Sequence, residues 1–154
     1  GYTVMLPEED RHLHTRSDLA DRLAMTLGGR TAEEVVLGEI TTGAVDDIEK
    51  ASRLARAMVT EFGMSDKLGP QRFEPRSGEP FLGREQRRSA EYSEELAARI
   101  DDEVARLLDE AHARARHIVE SHRATLDVLT DALLEHETLV EDDLNTIFAG
   151  LESA

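Results

Sequence analysis

Cysteine is absent from the 154 residues. That excludes disulfide stapling, thiol catalysis and any zinc site built on thiolates, and it is compatible with a cytosolic setting. Aromatic residues supply only 4% of the chain against 40% hydrophobic residues. A core must therefore be assembled from Leu, Ala, Val and Ile, which suits packed helices better than a β-sandwich. Positive charge is scarce as well, with 18 Lys and Arg against 33 Asp and Glu and a net charge of -15. A surface of that sign repels phosphate, which argues against nucleic acid or an anionic membrane as a partner. Within the 154 residues no signal-peptide pattern, apolar run of membrane-spanning length, phosphate-binding glycine loop or GxSxG element is read. The length suits one mainly α domain with a real core.

The segment at residues 1–6 alternates Tyr2, Val4 and Leu6 with Thr3 and Met5, and Pro7 followed by three acids ends it. This predicts a short N-terminal β-strand that needs a partner, supplied either by a segment upstream of Gly1 or by a ligand. The opening on Gly1 with no Met start reads as a segment cut from a longer chain. Thr15 and Asp18 resemble a capping box, and Leu19, Leu23 and Leu27 follow before Gly28 and Gly29, predicting a helix over 16–27. Thr31 and Glu34 repeat the capping pattern and predict a second, short helix ended by Gly38. A further helix spans 44–62 and closes at Gly63. Residues 64–92 read as a long loop carrying Pro70, Pro75 and Pro80 with Arg72, Arg76, Arg84, Arg87 and Arg88. From the N-cap candidate Ser93 a long helix runs to about Ser121, with exposed pairs Glu95–Arg99, Asp102–Arg106 and Glu110–Arg114. Two more helices take in Leu126, Leu129, Leu133 and Leu134, then Leu144, Ile147 and Phe148.

Chemistry is concentrated at one acid. At about 100° per residue, Asp47 falls in the arc of Ala51, Leu54, Ala55, Met58 and Phe62, beside Ile48 and Val59. Asp46 falls on the opposite side with Glu49, Arg53, Arg56 and Thr60. A carboxylate that faces a core needs a metal, a base or the free N–H groups of its own helix start. The ordinary reading is the last, because an acid in a first helical turn is favoured by the dipole.

The histidines do not form a site by spacing. His12 and His14 lie two apart beside acids, and His117 and His122 are separated by five, about 140° apart on a helix, where an HxxEH pair needs one turn. The arginines of the central loop read as a solvated or partner-facing segment.

GYTVMLPEED at 1–10, LGGRTAEEVVLGE at 27–39, TTGAVDDIEKAS at 41–52, VTEFGMSDKLGP at 59–70 and LLEHETL at 133–139 resemble, in order, the peptidase domain of the FtsH family. The family consists of membrane-anchored, ATP-dependent zinc metalloproteases with an AAA+ ATPase module, assembled as hexamers. The resemblance implies a partial helical peptidase domain over 1–154, divided into an edge strand (1–6), active-site helices (16–63), a loop (64–92) and a C-terminal helical part (93–150). It implies Zn²⁺ as cofactor and ATP used by the ATPase module in cis. Its partners would be unfolded polypeptides and further copies in a homo-hexamer, with the parent at the cytoplasmic face of the plasma membrane and this segment soluble.

Residue by residue, the acid of the family's TTGA-x-x-D turn, its third zinc ligand, falls on Asp47 and not on Asp46. The family's HExxH helix, with two histidine ligands and the general-base glutamate, lies upstream of the match, and no HExxH occurs in the 154 residues. The chain alone is therefore expected to be inactive. Tyr2, Thr3, Val4 and Met5 would hold substrate by strand addition. Glu33 is a candidate to support the metal ligands, as is Glu34, for which helix capping is the ordinary alternative. A non-catalytic helical scaffold or oligomerisation module is the rival reading.

Overall fold

The computed structural model describes residues 13–73 and 92–149. The expected strand with Tyr2, Thr3, Val4 and Met5, His12, and loop residues 74–91 lie outside them. Among the described residues the chain forms five helices, α1 (Arg16–Leu37), α2 (Val45–Thr60), α3 (Glu94–Ser121), α4 (Arg123–His136) and α5 (Glu141–Ala149), with one 3₁₀ turn at Thr42–Ala44.

α1 starts where its capping pattern predicts. Thr15 Oγ1 accepts from the Asp18 N–H at 3.2 Å, and Asp18 Oδ2 accepts from the Thr15 N–H at 2.8 Å, a complete capping box. The two separate helices expected over 16–37 are instead one. Gly28 and Gly29 each cost the helix about 1 kcal/mol relative to Ala, but Leu19, Leu23 and Leu27 before them are buried and so is Thr31 after them. Packing on both sides carries the helix through. Thr31 does not cap; fully buried, it satisfies its hydroxyl by donating to the Leu27 carbonyl at 2.8 Å. The stop is Gly38, whose φ of 71° is accessible to glycine and whose N–H bonds the Glu34 carbonyl.

The core is a three-helix cluster of Leu19, Leu23, Leu27, Ala51, Ala55, Met58, Val59, Ile100, Val104, Leu107 and Ala111, joined by Leu68. Alanines at 24, 51, 55 and 111 let the helix axes approach closely, and the few large residues fill the space between them. Thr60, expected on the solvated side of α2, is buried; its hydroxyl returns to the Arg56 carbonyl and its own carbonyl accepts from the Phe73 N–H at 2.7 Å. Phe62, expected inward, is 52% exposed because it lies past the last turn of α2, where the chain is already bending away.

The first part of the 64–92 loop is built into the fold. Gly63 has φ of 62° and a side chain there would run into the Pro70 backbone at 3.1 Å. The chain then turns so that Leu68 enters the core. The turn is fastened to α3 by Glu103, which is 1% exposed. The Glu103 carboxylate accepts from Ser65 Oγ at 2.8 Å and from Arg106 Nη2 and Nε at 3.1 and 3.2 Å, and lies 2.9 Å from Lys67 Nζ. Arg99 adds a bond to the Lys67 carbonyl, and Arg16 of α1 grips Asp66 at 2.8 Å. The arginines expected to pair along the surface of α3 are used differently: Arg106 turns to Glu103 and Glu110, Arg114 reaches Asp21 on α1, and Arg99 reaches the turn. Arg99 and Arg114 thus tie α3 to other segments, while Arg106 stays on α3 and turns to its buried acid.

α4 and α5 stand apart from this cluster. α4 buries only Thr125 and α5 buries nothing. Val128, Leu133, Leu134, Val140 and Phe148 are exposed.

The packing around Glu103 makes stability depend on pH. Hydrogen bonding from Arg106, aided by Lys67 and Ser65, outweighs burial and holds the Glu103 carboxyl at about 2, below its ordinary 4.5. A folded value below the unfolded one gives stability that is complete above about pH 4.5 and is lost as pH falls toward 2, on the order of 3 kcal/mol for this group. Urea unfolding between pH 7 and pH 3 should show about 2 kcal/mol of that loss, and Glu103→Gln should be less stable at pH 7 and flatter across the series. An added Cβ at Gly28 or Gly29 meets nothing within 4 Å, so Gly28→Ala and Gly29→Ala should each raise stability by about 0.5–1 kcal/mol in the same assay.

Candidate functional site

The segment that joins α1 to α2 carries the acid singled out by the sequence. Thr41 has an extended backbone (φ -103°, ψ 166°) and caps the 3₁₀ turn, its Oγ1 accepting from the Gly43 N–H at 3.2 Å. Ala44 is buried beneath the turn and α2 begins at Val45. Asp46 and Asp47 both occupy the first turn of α2, where the helix dipole favours negative charge. Their settings differ. Asp46 is exposed and Asp47 half-buried.

The Asp47 side chain keeps 43% of its surface, with Oδ1 3.4 Å from Lys50 Nζ. The carboxylate stands at the rim of the core, not within it. Its azimuth is inward, but it lies one turn before Ala51, the first residue of α2 to enter the core cluster. On both sides of the turn apolar side chains are open to solvent: Val36, Leu37, Ile40, Val45 and Ile48.

Glu33 and Glu34 are adjacent and do different things. Glu33 Oε2 accepts from Thr41 Oγ1 at 2.9 Å, so it meets the turn that leads to Asp47 rather than Asp47 itself. Glu34 faces α3, where Oε2 meets His112 Nε2 at 3.0 Å and Oε1 accepts from Arg116 Nη2. Burial raises the Glu34 pKa, yet the bonds and charges of His112 and Arg116 prevail and hold it below its ordinary value. Glu34 does not cap a helix start, because it lies in the last turn of a continuous helix.

The other histidines are dispersed. His14, His117 and His122 are exposed, and α3 ends at Ser121, so His117 and His122 do not share a helix. His136 is exposed beside Glu135. Among the described residues no group of three or more His, Asp and Glu side chains could hold a metal. Asp47 suits one ligand position, since it is accessible and its one ion pair is long. The described residues do not assemble the remaining ligands.

Sequence reasoning missed Glu103, His112, Arg116 and Thr41. Two of these interactions had a usable signal. Glu103 shares the stripe of Ile100, Val104 and Leu107, and Glu34 shares that of Leu27 and Thr31, so each acid sat at a core-facing position.

The model of Peptidase family M41 matches residues 1–147. The chain is 52% identical over 152 residues to the ATP-dependent zinc metalloprotease FtsH of Mycobacterium leprae, covering 99% of this chain and 19% of that protein. It is 51% identical over 153 residues to the protein of the same name from Kosmotoga olearia, and 46% identical over 149 residues to that of Thermotoga maritima, covering 24% of each. The chain thus spans about a fifth to a quarter of the length of these relatives. It belongs to Peptidase family M41.

Proposed function

We propose that this chain is part of the proteolytic domain of an ATP-dependent zinc metalloendopeptidase that degrades unfolded or membrane polypeptides, and that Asp47 supplies one carboxylate ligand to the zinc. The observation that carries the reading is the rim position of Asp47. An accessible acid stands on a hydrogen-bonded turn between the exposed apolar side chains Val36, Leu37, Ile40, Val45 and Ile48. A surface of that kind suits coverage by a further segment, and an HExxH helix would bring two imidazoles and a general base to it.

Zinc held by three protein ligands keeps a position for water and lowers its pKa to about 7, so that hydroxide is available near neutral pH. The part of this chain is to deliver a carboxylate of fixed direction. Asp47 must then release Lys50, and an ion pair of 3.4 Å at a half-exposed position opposes that by less than about 1 kcal/mol. Glu33 supports the turn through Thr41. Tyr2, Thr3, Val4 and Met5 would receive substrate by backbone pairing, which tolerates many sequences.

The names of the relatives support zinc and ATP in the whole protein, and an ATPase module in cis is part of the proposal. Homo-hexamer assembly and a place at the cytoplasmic face of the plasma membrane belong to the same reading. None of the described helices is long and apolar enough to cross a membrane.

In the full-length protein, with the HExxH helix present, Asp47→Asn should weaken zinc binding at least about tenfold and reduce casein hydrolysis in step. Asp46→Asn, which removes a charge from the same helix turn, should leave zinc content at the wild-type level. Equal zinc content in all three proteins, measured after dialysis against a chelator, would refute Asp47 as a ligand. The 154-residue chain by itself should neither hydrolyse casein nor retain stoichiometric zinc, and elemental analysis with a fluorogenic casein assay checks both.

A further inference from the structure

Thr41 bonds to two parts of the structure at once. Its hydroxyl donates to Glu33 Oε2 at 2.9 Å and accepts from the Gly43 N–H at 3.2 Å. One side chain thereby fastens the start of the Asp47 turn to the end of α1. Glu33 projects from the same end of α1 as its neighbour Glu34, about 100° round the helix, which is bonded to α3 by His112 at 3.0 Å and by Arg116. The sequence of contacts runs from α3 through Glu34, the backbone of α1, Glu33 and Thr41 to Gly43, four residues before Asp47. Gly43 suits this arrangement, since a Cβ there would crowd Thr41 Oγ1 at 3.3 Å.

We infer that Thr41 is a positioning residue for the Asp47 carboxylate, referring the direction of that ligand to the α1–α3 frame through Glu33. The inference rests on the reading of Asp47 as a zinc ligand and adds the group that holds that ligand's turn. The physical need is specific to this site. Asp47 lies at the rim, where core packing does not fix its direction, and its neighbour Lys50 is itself exposed. A ligand in that position is directed by the hydrogen bonds of its turn. Groups that orient metal ligands from behind contribute about tenfold to a hundredfold in affinity. A single hydroxyl-to-carboxylate bond at an exposed site belongs at the lower end of that range.

The test uses the full-length protein with the HExxH helix, competing zinc against a chromophoric chelator. Thr41→Val removes the hydroxyl at nearly constant shape and should raise the zinc Kd about tenfold. Thr41→Ser restores the hydroxyl and should return the Kd to within about twofold of wild type. In the metal-free protein, Thr41→Val should speed amide exchange at Gly43 and the first turn of α2 while leaving α1 and α3 as protected as before. An unchanged Kd in Thr41→Val, alongside weakened binding in Asp47→Asn, would overturn the inference and leave the ligand reading standing. Unchanged binding in Asp47→Asn would remove both. Loss of protection throughout α1, α2 and α3 in Thr41→Val would also overturn it, because the hydroxyl would then support the fold at large.

Discussion

The carboxylate of Glu103, sealed from water on the inner face of α3, is the contact on which the placement of the end of α2 against α3 depends. An ionised acid with 1% exposure is tolerable only if its oxygens are matched, and they are matched by Ser65, Lys67 and Arg106. Two of the three partners come from the turn after α2, so the bond is a tie between segments distant in sequence. The tie brings Leu68 into the core and fixes where α2 ends relative to α3. With its far end fixed there and its middle packed through Ala51, Ala55 and Met58, α2 has one orientation, and its first turn is carried to a defined place at the rim.

That first turn is held by weaker means. Deep in the bundle, geometry is set by close packing and by charges removed from water, and a change of partner costs several kcal/mol. At the junction of α1 and α2 the available bonds are exposed, each contributing about 0.5–1.5 kcal/mol net. Adjacent glutamates divide the labour at this boundary. Glu34 looks inward, joining α1 to α3 through His112 and Arg116, and Glu33 looks toward the turn. Both project from the C-terminal end of α1, so one end of a single helix meets α3 and the turn at once.

Much of this was legible in the sequence. The period of Leu19, Leu23 and Leu27, the stripe of α3 from its Ser93 cap to Ser121, and the start of α2 after the Thr41–Ala44 turn all follow from local pattern, and all stand in the structure. The break expected at Gly28 and Gly29 does not, because propensity is a local term of about 1 kcal/mol per glycine and the burial of Leu27 and Thr31 is a tertiary one that exceeds it. Thr31 and Glu34 fit a capping template by spacing alone. Their actual partners, the Leu27 carbonyl and the α3 side chains, depend on a continuous helix that the template denies. Glu103 carries the same helical-wheel signal as Asp47, an acid on an apolar stripe, and is far more deeply buried. Its partner Arg106 is local, one turn along α3, but Ser65 and Lys67 lie in a segment that reads as open loop, so local pattern shows only part of how the charge is matched. For the site, the sequence placed Asp47 and Asp46 in different surroundings, and the structure does separate them, half-buried against exposed. It could not show that the inward direction of Asp47 opens at the edge of the core.

The distribution of burial also bears on what kind of metal contribution this chain can make. Small domains whose fold depends on zinc gather their ligands at the centre, and the binding energy of the ion becomes folding energy. Here the centre is hydrocarbon with one internally neutralised acid, and the described residues collect no set of metal donors. Asp47 is outside that centre and its turn is complete without any ion, through Thr41, Gly43 and Glu33. On the reading of Asp47 as a ligand, a turn ordered in advance in this way loses little entropy when a metal binds, so binding energy is not consumed in ordering it. On the same reading, the packing of the three-helix core does not itself draw on the ion.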